Sequence, residues 1–122
     1  MNKFKKILIV DDEKDILHLL SNAISRKFQV EIITAENLND AQGKIAKYQP
    51  DLALLDLNLP DGEGFELVPI LKKEKPTAKF AIVTAYNQMQ EHRKSQELGA
   101  VRLIGKPFSL NDVFTTVSEM LH

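Results

Sequence analysis

Apolar residues along this chain fall into two alternating patterns, short unbroken runs and longer stretches with helical spacing. The unbroken runs are Ile7-Leu8-Ile9-Val10, Leu52-Ala53-Leu54-Leu55, Phe80-Ala81-Ile82-Val83 and Leu103-Ile104. Continuous Val, Ile and Leu of this length marks strands of a parallel sheet covered on both faces. Residues 29–34, with Val30, Ile32 and Ile33, predict a fifth strand. Between the runs, Ile16, Leu17, Leu20, Ala23 and Ile24 share one helical face. Leu38, Ala41 and Ile45 give a second, with Asn37 and Asp40 as an N-terminal capping pair and Pro50 as the stop. Phe65, Val68 and Leu71 give a third, with Pro69 inside it. An interior proline costs about 3 kcal/mol relative to alanine, so a kink or a short helix is expected there.

Residues 87–98 are nearly all polar, with Met89 and Leu98 the large apolar exceptions. A helix with so few anchors packs weakly and is expected to be mobile. Leu110, Val113, Phe114, Val117 and Leu121 form the last stripe, behind Ser109 and Asp112 as a cap. Pro60-Asp61-Gly62-Glu63-Gly64 reads as a loop. Five strands alternating with five helices predict a single α/β domain over residues 1–122. It is a doubly wound parallel sheet with helices on both faces and right-handed crossovers.

Composition narrows the possibilities. The chain has 122 residues, enough for one layered core, and its 43% hydrophobic and 27% charged content is ordinary for a globular protein. A net charge of −1 speaks against a general nucleic-acid or membrane-surface binder. Without cysteine, neither disulfides nor thiolate metal sites are available. The apolar stretch after Lys3, Lys5 and Lys6 stops at two aspartates, too soon for a signal peptide, and no run approaches a membrane span. A cytoplasmic location is expected.

Each unbroken run leads into a residue suited to phosphate chemistry: Asp11-Asp12, Asp56, Thr84 and Lys106. Open parallel sheets bind ligands beyond the carboxyl ends of their strands. One strand-plus-helix unit takes about 30 residues or somewhat fewer. The intervals from Asp12 to Asp56, Thr84 and Lys106 then correspond to two units, one and one, so all four positions reach the same sheet edge. Asp11, Asp12 and Asp56 carry three negative charges and Lys106 offsets one. The remainder matches a divalent cation in an all-oxygen site, with Mg2+ the natural choice. Asp56 is then a candidate nucleophile for a phosphoryl group, with the cation and Lys106 neutralising its oxygens. The Thr84 hydroxyl can supply a donor to the added phosphate charge, and its movement would carry into the weakly anchored polar segment.

Taken singly, these residues have bland explanations. Asp11-Asp12 suits the start of any helix, Thr84 suits a strand, and Lys106-Pro107 is a common pair. Glu13 is equally a helix-start acid, and His18, His92 and His122 have no partner at ligand spacing. Lys72, Lys73, Glu74 and Lys75 read as a solvated helix end. Order and spacing together carry the case.

With those residues in view, the chain resembles a response-regulator receiver domain of two-component signalling, from about Lys5 to Leu121. The matching segments are Ile7-Leu8-Ile9-Val10-Asp11-Asp12-Glu13, Leu55-Asp56-Leu57-Asn58-Leu59-Pro60, Val83-Thr84-Ala85 and Gly105-Lys106-Pro107-Phe108. The resemblance implies a flavodoxin-like strand order, 2-1-3-4-5. It implies Asp56 as phosphoacceptor, with Mg2+ held by Asp11, Asp12, Asp56 and the carbonyl of Asn58. Thr84 is then the switch hydroxyl and Lys106 the phosphate-binding lysine, followed by a cis bond before Pro107. Asn58 and Tyr86 fall where receivers tune hydrolysis of the acyl phosphate. Leu103 departs from the family, which usually has an aromatic switch residue there, and leaves Tyr86 or helix mobility to couple to Thr84.

The function so implied is a phosphorylation-activated signalling switch, assisting only its own phosphorylation and dephosphorylation. Its partners would be a sensor histidine kinase or phosphotransfer protein and a downstream output domain or protein, with no direct nucleic-acid or membrane contact. A phosphorylation-dependent dimer through the fourth and fifth helices is open. The alternative is a phosphate-independent interaction module of the same fold, against which the intact acid set argues. A small-molecule phosphohydrolase is a third class; such enzymes commonly place a second acid two positions after the nucleophile, where this chain has Asn58. No output segment is expected within these residues. They fit a stand-alone receiver or a piece of a longer regulator or hybrid kinase.

Overall fold

Every apolar run becomes a strand of one sheet in the computed structural model, which describes residues 4–85 and 88–122. In chain order the elements are β1 (Lys5–Val10), α1 (Lys14–Lys27), β2 (Val30–Ala35), α2 (Leu38–Tyr48), β3 (Leu52–Leu55), β4 (Asn58–Leu59), β5 (Gly62–Glu63), α3 (Leu67–Glu74), β6 (Lys79–Thr84), α4 (Met89–Glu97), β7 (Leu103–Gly105) and α5 (Leu110–Leu121). The main sheet is parallel, in the order β2-β1-β3-β6-β7. With the two-residue pair β4 and β5 set aside, this is the expected order 2-1-3-4-5. Val10 pairs with both Ala35 and Leu55, and Thr84 pairs with Gly105, so the strands finish level at one edge.

Alternate strand residues face opposite ways and build two cores. Leu8, Val10, Ala53, Leu55, Phe80 and Ile82 pack with α2 and α3, whereas Ile7, Ile9, Leu52, Leu54, Ala81 and Val83 pack with α1 and α5. Burying a Leu, Ile, Val or Phe side chain fully contributes about 1.5–3 kcal/mol, so these strands anchor the edge that carries the polar residues.

Several local expectations change. Phe65 lies in a 3-10 turn (Gly64–Glu66) ahead of α3, which is, as expected, short at 8 residues. Pro69 is the third residue of α3, not an interior one, and first-turn N–H groups have no helical acceptor to lose. The loop after Asp56 contains a small antiparallel hairpin, with Asn58 opposite Glu63 and Leu59 opposite Gly62. The buried stripe of α5 is Val113, Thr116, Val117 and Met120, while Phe114 is half-buried and stands edge-on to Phe28 at 6.1 Å. The end of α3 is also tied down: the Lys72 ammonium donates to the Ala78 carbonyl, and Lys75 lies 3.0 Å from Asp51.

As expected, α4 is poorly anchored, with Ser95 its one buried residue among those described. Asn87, at the start of the polar stretch, and Tyr86 lie outside the described residues. Asn37 and Ser109 accept from the backbone N–H groups of Asp40 and Asp112, as the capping pairs predicted. Among the described residues, no helix is long and apolar enough to cross a membrane.

Candidate functional site

The level strand ends bring the polar residues together. Asp11 follows β1, where its N–H donates to the Ala35 carbonyl at 3.1 Å. Asp56 follows β3, where its N–H donates to the Val10 carbonyl at 3.0 Å. Both are almost fully buried, 2% and 5% exposed, while Asp12 is exposed. Lys106 follows β7, and its N–H donates to the Thr84 carbonyl at 2.8 Å. These hydrogen bonds extend the sheet ladder by one residue and fix the backbone from which each side chain departs.

The Lys106 ammonium bridges the two buried acids. It donates to Asp11 Oδ2 at 2.7 Å and to Asp56 Oδ2 at 2.9 Å. The other carboxylate oxygens are held by backbone: Glu13 N–H donates to Asp11 Oδ1 at 2.9 Å, and Asn58 N–H to Asp56 Oδ1 at 3.3 Å. Carboxylate oxygens of Asp11, Asp12 and Asp56 lie within 4.8 Å of one another. Glu13, largely exposed, approaches Lys106 at 3.5 Å. Its place at the site was readable only as a neighbour of the acid pair.

Charge balance is uneven here. Burial pushes Asp11 above the ordinary carboxylate range, against the hydrogen bond from Lys106. Burial also works against the Lys106 ammonium, but its hydrogen bonds to Asp11 and Asp56 outweigh this and hold the lysine well above its usual value. The lysine therefore stays charged, and the cost of burial falls on Asp11. An incoming hard cation would relieve it, and an all-oxygen donor set suits Mg2+ or Ca2+.

Thr84, fully buried, ends β6 beside Gly105. Asn58 opens β4 and is exposed. Asn58, Leu57 and Phe65, together with Lys94 of α4, help to line a cleft of about 640 Å³ whose lining begins at Leu57, the residue after Asp56. Lys94 lies 3.5 Å from Glu63 and 4.9 Å above the Phe65 ring. The peptide bond between Lys106 and Pro107 is cis. His18, His92 and His122 are exposed.

Two glycines shape the segment after Asp56. A Cβ on Gly64 would lie 1.9 Å from the Asp56 carbonyl oxygen, and one on Gly62 would lie 2.5 Å from Leu38 Cδ1. Neither close approach was legible from the loop composition.

Comparisons with known proteins agree with this geometry. The family model described as the response regulator receiver domain matches residues 7–118. Sporulation initiation phosphotransferase F of Bacillus subtilis is 33% identical over 117 residues, covering 96% of this chain and 94% of the relative. Response regulator protein PilR of Pseudomonas aeruginosa is also 33% identical, but the chain spans only 26% of its length. Among solved structures, a CheY-like response regulator receiver domain protein from Methanospirillum hungatei JF-1 superposes with a TM-score of 0.89 at 33% identity. That match covers 98% of this chain and 94% of the other.

Proposed function

The chain belongs to the response regulator receiver family, and on that premise we propose that it is a phosphorylation-controlled switch charged on Asp56. The observation that carries this reading is the Lys106 bridge to both buried aspartates beside an exposed third. A bare interaction module has no need to bury two carboxylates around one ammonium.

In this reading, a carboxylate oxygen of Asp56 attacks the phosphorus of a phosphohistidine on a sensor kinase or phosphotransfer protein. The new P–O bond forms as the P–N bond breaks, and the imidazole leaves with the electron pair and takes a proton from solvent. Mg2+ would be held by Asp11, Asp12, Asp56 and the Asn58 carbonyl, where it supplies charge neutralisation for the phosphoryl oxygens. Lys106 turns its ammonium from the Asp56 carboxylate toward the added phosphoryl group. Asp11 keeps that ammonium in place, and the Thr84 hydroxyl donates to a phosphoryl oxygen.

The signal then leaves through the segment after Thr84. Leu103, where the family usually carries an aromatic switch residue, is half-buried against the core that contains Phe80 and Ile82. That packing favours coupling through the loosely held α4 over a ring rotation. The protein acts in the cytoplasm, on itself and on an output domain or partner, with a phosphorylation-dependent dimer as one output. Its relative's name, a phosphotransferase, is consistent with passing the group onward.

Incubation with Mg2+ and acetyl phosphate tests the reading by intact mass. A single phosphoryl adduct on the parent protein, absent in Asp56→Asn, is expected. No adduct on the parent overturns it in favour of the interaction module. Rapid turnover of unrelated phosphate esters would indicate a hydrolase instead.

A further inference from the structure

The hairpin after Asp56 is held from outside the site. Asp61, at its tip, is exposed, yet its carboxylate accepts from two backbone N–H groups of α2, Leu38 at 2.8 Å and Asn39 at 3.0 Å. These are the first two N–H groups of the helix, which have no acceptor within it. Asn37 covers the third, from Asp40, so the helix start is shared between its own cap and a residue 23 positions away. The two backbone hydrogen bonds also hold the Asp61 carboxyl below its usual range.

The hairpin is in turn locked to the phosphoacceptor. Gly62 packs directly on Leu38, and Gly64 packs directly on the Asp56 carbonyl. Gly64 N–H also donates to the Leu57 carbonyl at 2.8 Å. On the other side of the site, the Ala35 carbonyl, just before α2, accepts from Asp11. The backbones carrying Asp11 and Asp56 are therefore both referenced to the short stretch from Ala35 to Asn39.

The geometry points to Asp61 as a positioning residue: by clamping the hairpin onto the start of α2 it sets the backbone from Asp56 to Asn58, and with it the spacing of the oxygens that receive the cation. This rests on the reading of Asp56 and its neighbours as the phosphoryl and Mg2+ site. A plain helix-capping role for Asp61 would give stability alone, so the two must be separated.

Asn37→Ala provides the matched control, since it removes a capping hydrogen bond from the same helix without touching the hairpin. Both Asp61→Ala and Asn37→Ala are expected to lower stability by similar, modest amounts. Asp61→Ala alone should speed hydrogen exchange at the Gly64 amide. It should also weaken Mg2+ binding by roughly tenfold, measured by calorimetric titration of the metal alone, a loss typical of groups that orient metal ligands. Asp61→Asn, which keeps one acceptor oxygen, should fall between. Parent-like exchange in Asp61→Ala overturns the clamp. Faster exchange with unchanged Mg2+ affinity overturns the positioning role, as does an equal loss of affinity in Asn37→Ala. If the parent itself neither binds Mg2+ nor forms the adduct, the phosphoryl reading fails and the positioning role with it. Gly64 exchange then still tells whether Asp61 clamps the hairpin.

Discussion

Gly64→Ala should injure this protein well out of proportion to one added methyl group. The new Cβ would sit 1.9 Å from the Asp56 carbonyl oxygen, 2.9 Å from its carbon and 3.2 Å from Leu57 Cα. All three are backbone atoms, so no side chain can swing aside. The turn and the segment after Asp56 must separate by more than an ångström to reach the 3.0 Å that real contacts respect. Forcing atoms into a packed interior costs typically about 1–3 kcal/mol, and a backbone-on-backbone clash belongs at the upper end. Against this, alanine restricts the unfolded chain and returns about 0.4–1 kcal/mol. The net expectation is a loss of about 2 kcal/mol, by difference between these two terms.

Gly43→Ala is the internal comparison. Gly43 lies in the middle of α2, exposed, and its Cβ would meet nothing within 4 Å. The same substitution there should stabilise by about 1 kcal/mol. In urea, with a slope of about 1.5 kcal/mol per molar, the two variants should unfold with midpoints about 2 M apart, on either side of the parent. Acetyl phosphate labelling of Gly64→Ala should slow as well, because the displaced atoms carry Asp56. If Gly64→Ala unfolds at or above the parent midpoint, the tight packing of this turn on Asp56 is wrong.

Three further outcomes follow from the same structure. Asp51 accepts from Lys6 N–H at 2.9 Å and pairs with Lys75 at 3.0 Å; burial raises its pKa, but these contacts more than offset that and leave it lowered. A lowered carboxylate contributes stability above its unfolded value, near pH 4, and loses it as pH falls through the folded one. The parent should therefore exceed Asp51→Asn by about 0.5–1 kcal/mol at pH 7, with the gap closing toward pH 3 in urea titrations; a pH-independent gap refutes the ion pair. Lys94→Ala removes the contacts of α4 with Glu63 and Phe65. Since α4 buries little else, its amides should exchange about fivefold faster while global stability barely moves, and unchanged exchange shows that other contacts hold the helix. Finally, Mg2+ at a hundredfold excess over its dissociation constant should stabilise the protein by about 2.7 kcal/mol. A chelator should remove this gain, and Asp11→Asn should show little of it; an equal gain in that variant refutes the assigned cation site.

Much of the site was legible because its residues sit at the ends of elements that local pattern defines. Asp11, Asp56, Thr84 and Lys106 each follow or close a run of buried strand residues, and level strand ends bring such positions to one edge. The capping residues Asn37 and Ser109 were legible for the same reason, as each bonds three residues ahead. Pro69 pointed rightly to a short helix, but Phe65 was read into that helix because the 3-10 turn before it shares the same apolar spacing. The basic end of α3 misled because Asp51 and the Ala78 carbonyl reach it from other parts of the chain.

Periodicity is a property of neighbours, since burial of a strand or helix face is written into residues two, three or four apart. The amino-acid order therefore determined the alternation of strand and helix, the sheet edge where the acids emerge and the residue types that meet there. Folding in three dimensions decided how Lys106 divides its ammonium between Asp11 and Asp56, 95 and 50 positions away. It also decided that Asp61 grips α2 and that Lys94 ties α4 to Glu63 and Phe65. Such pairings depend on strand register and on loops closing over long stretches of chain, and no local spacing encodes either.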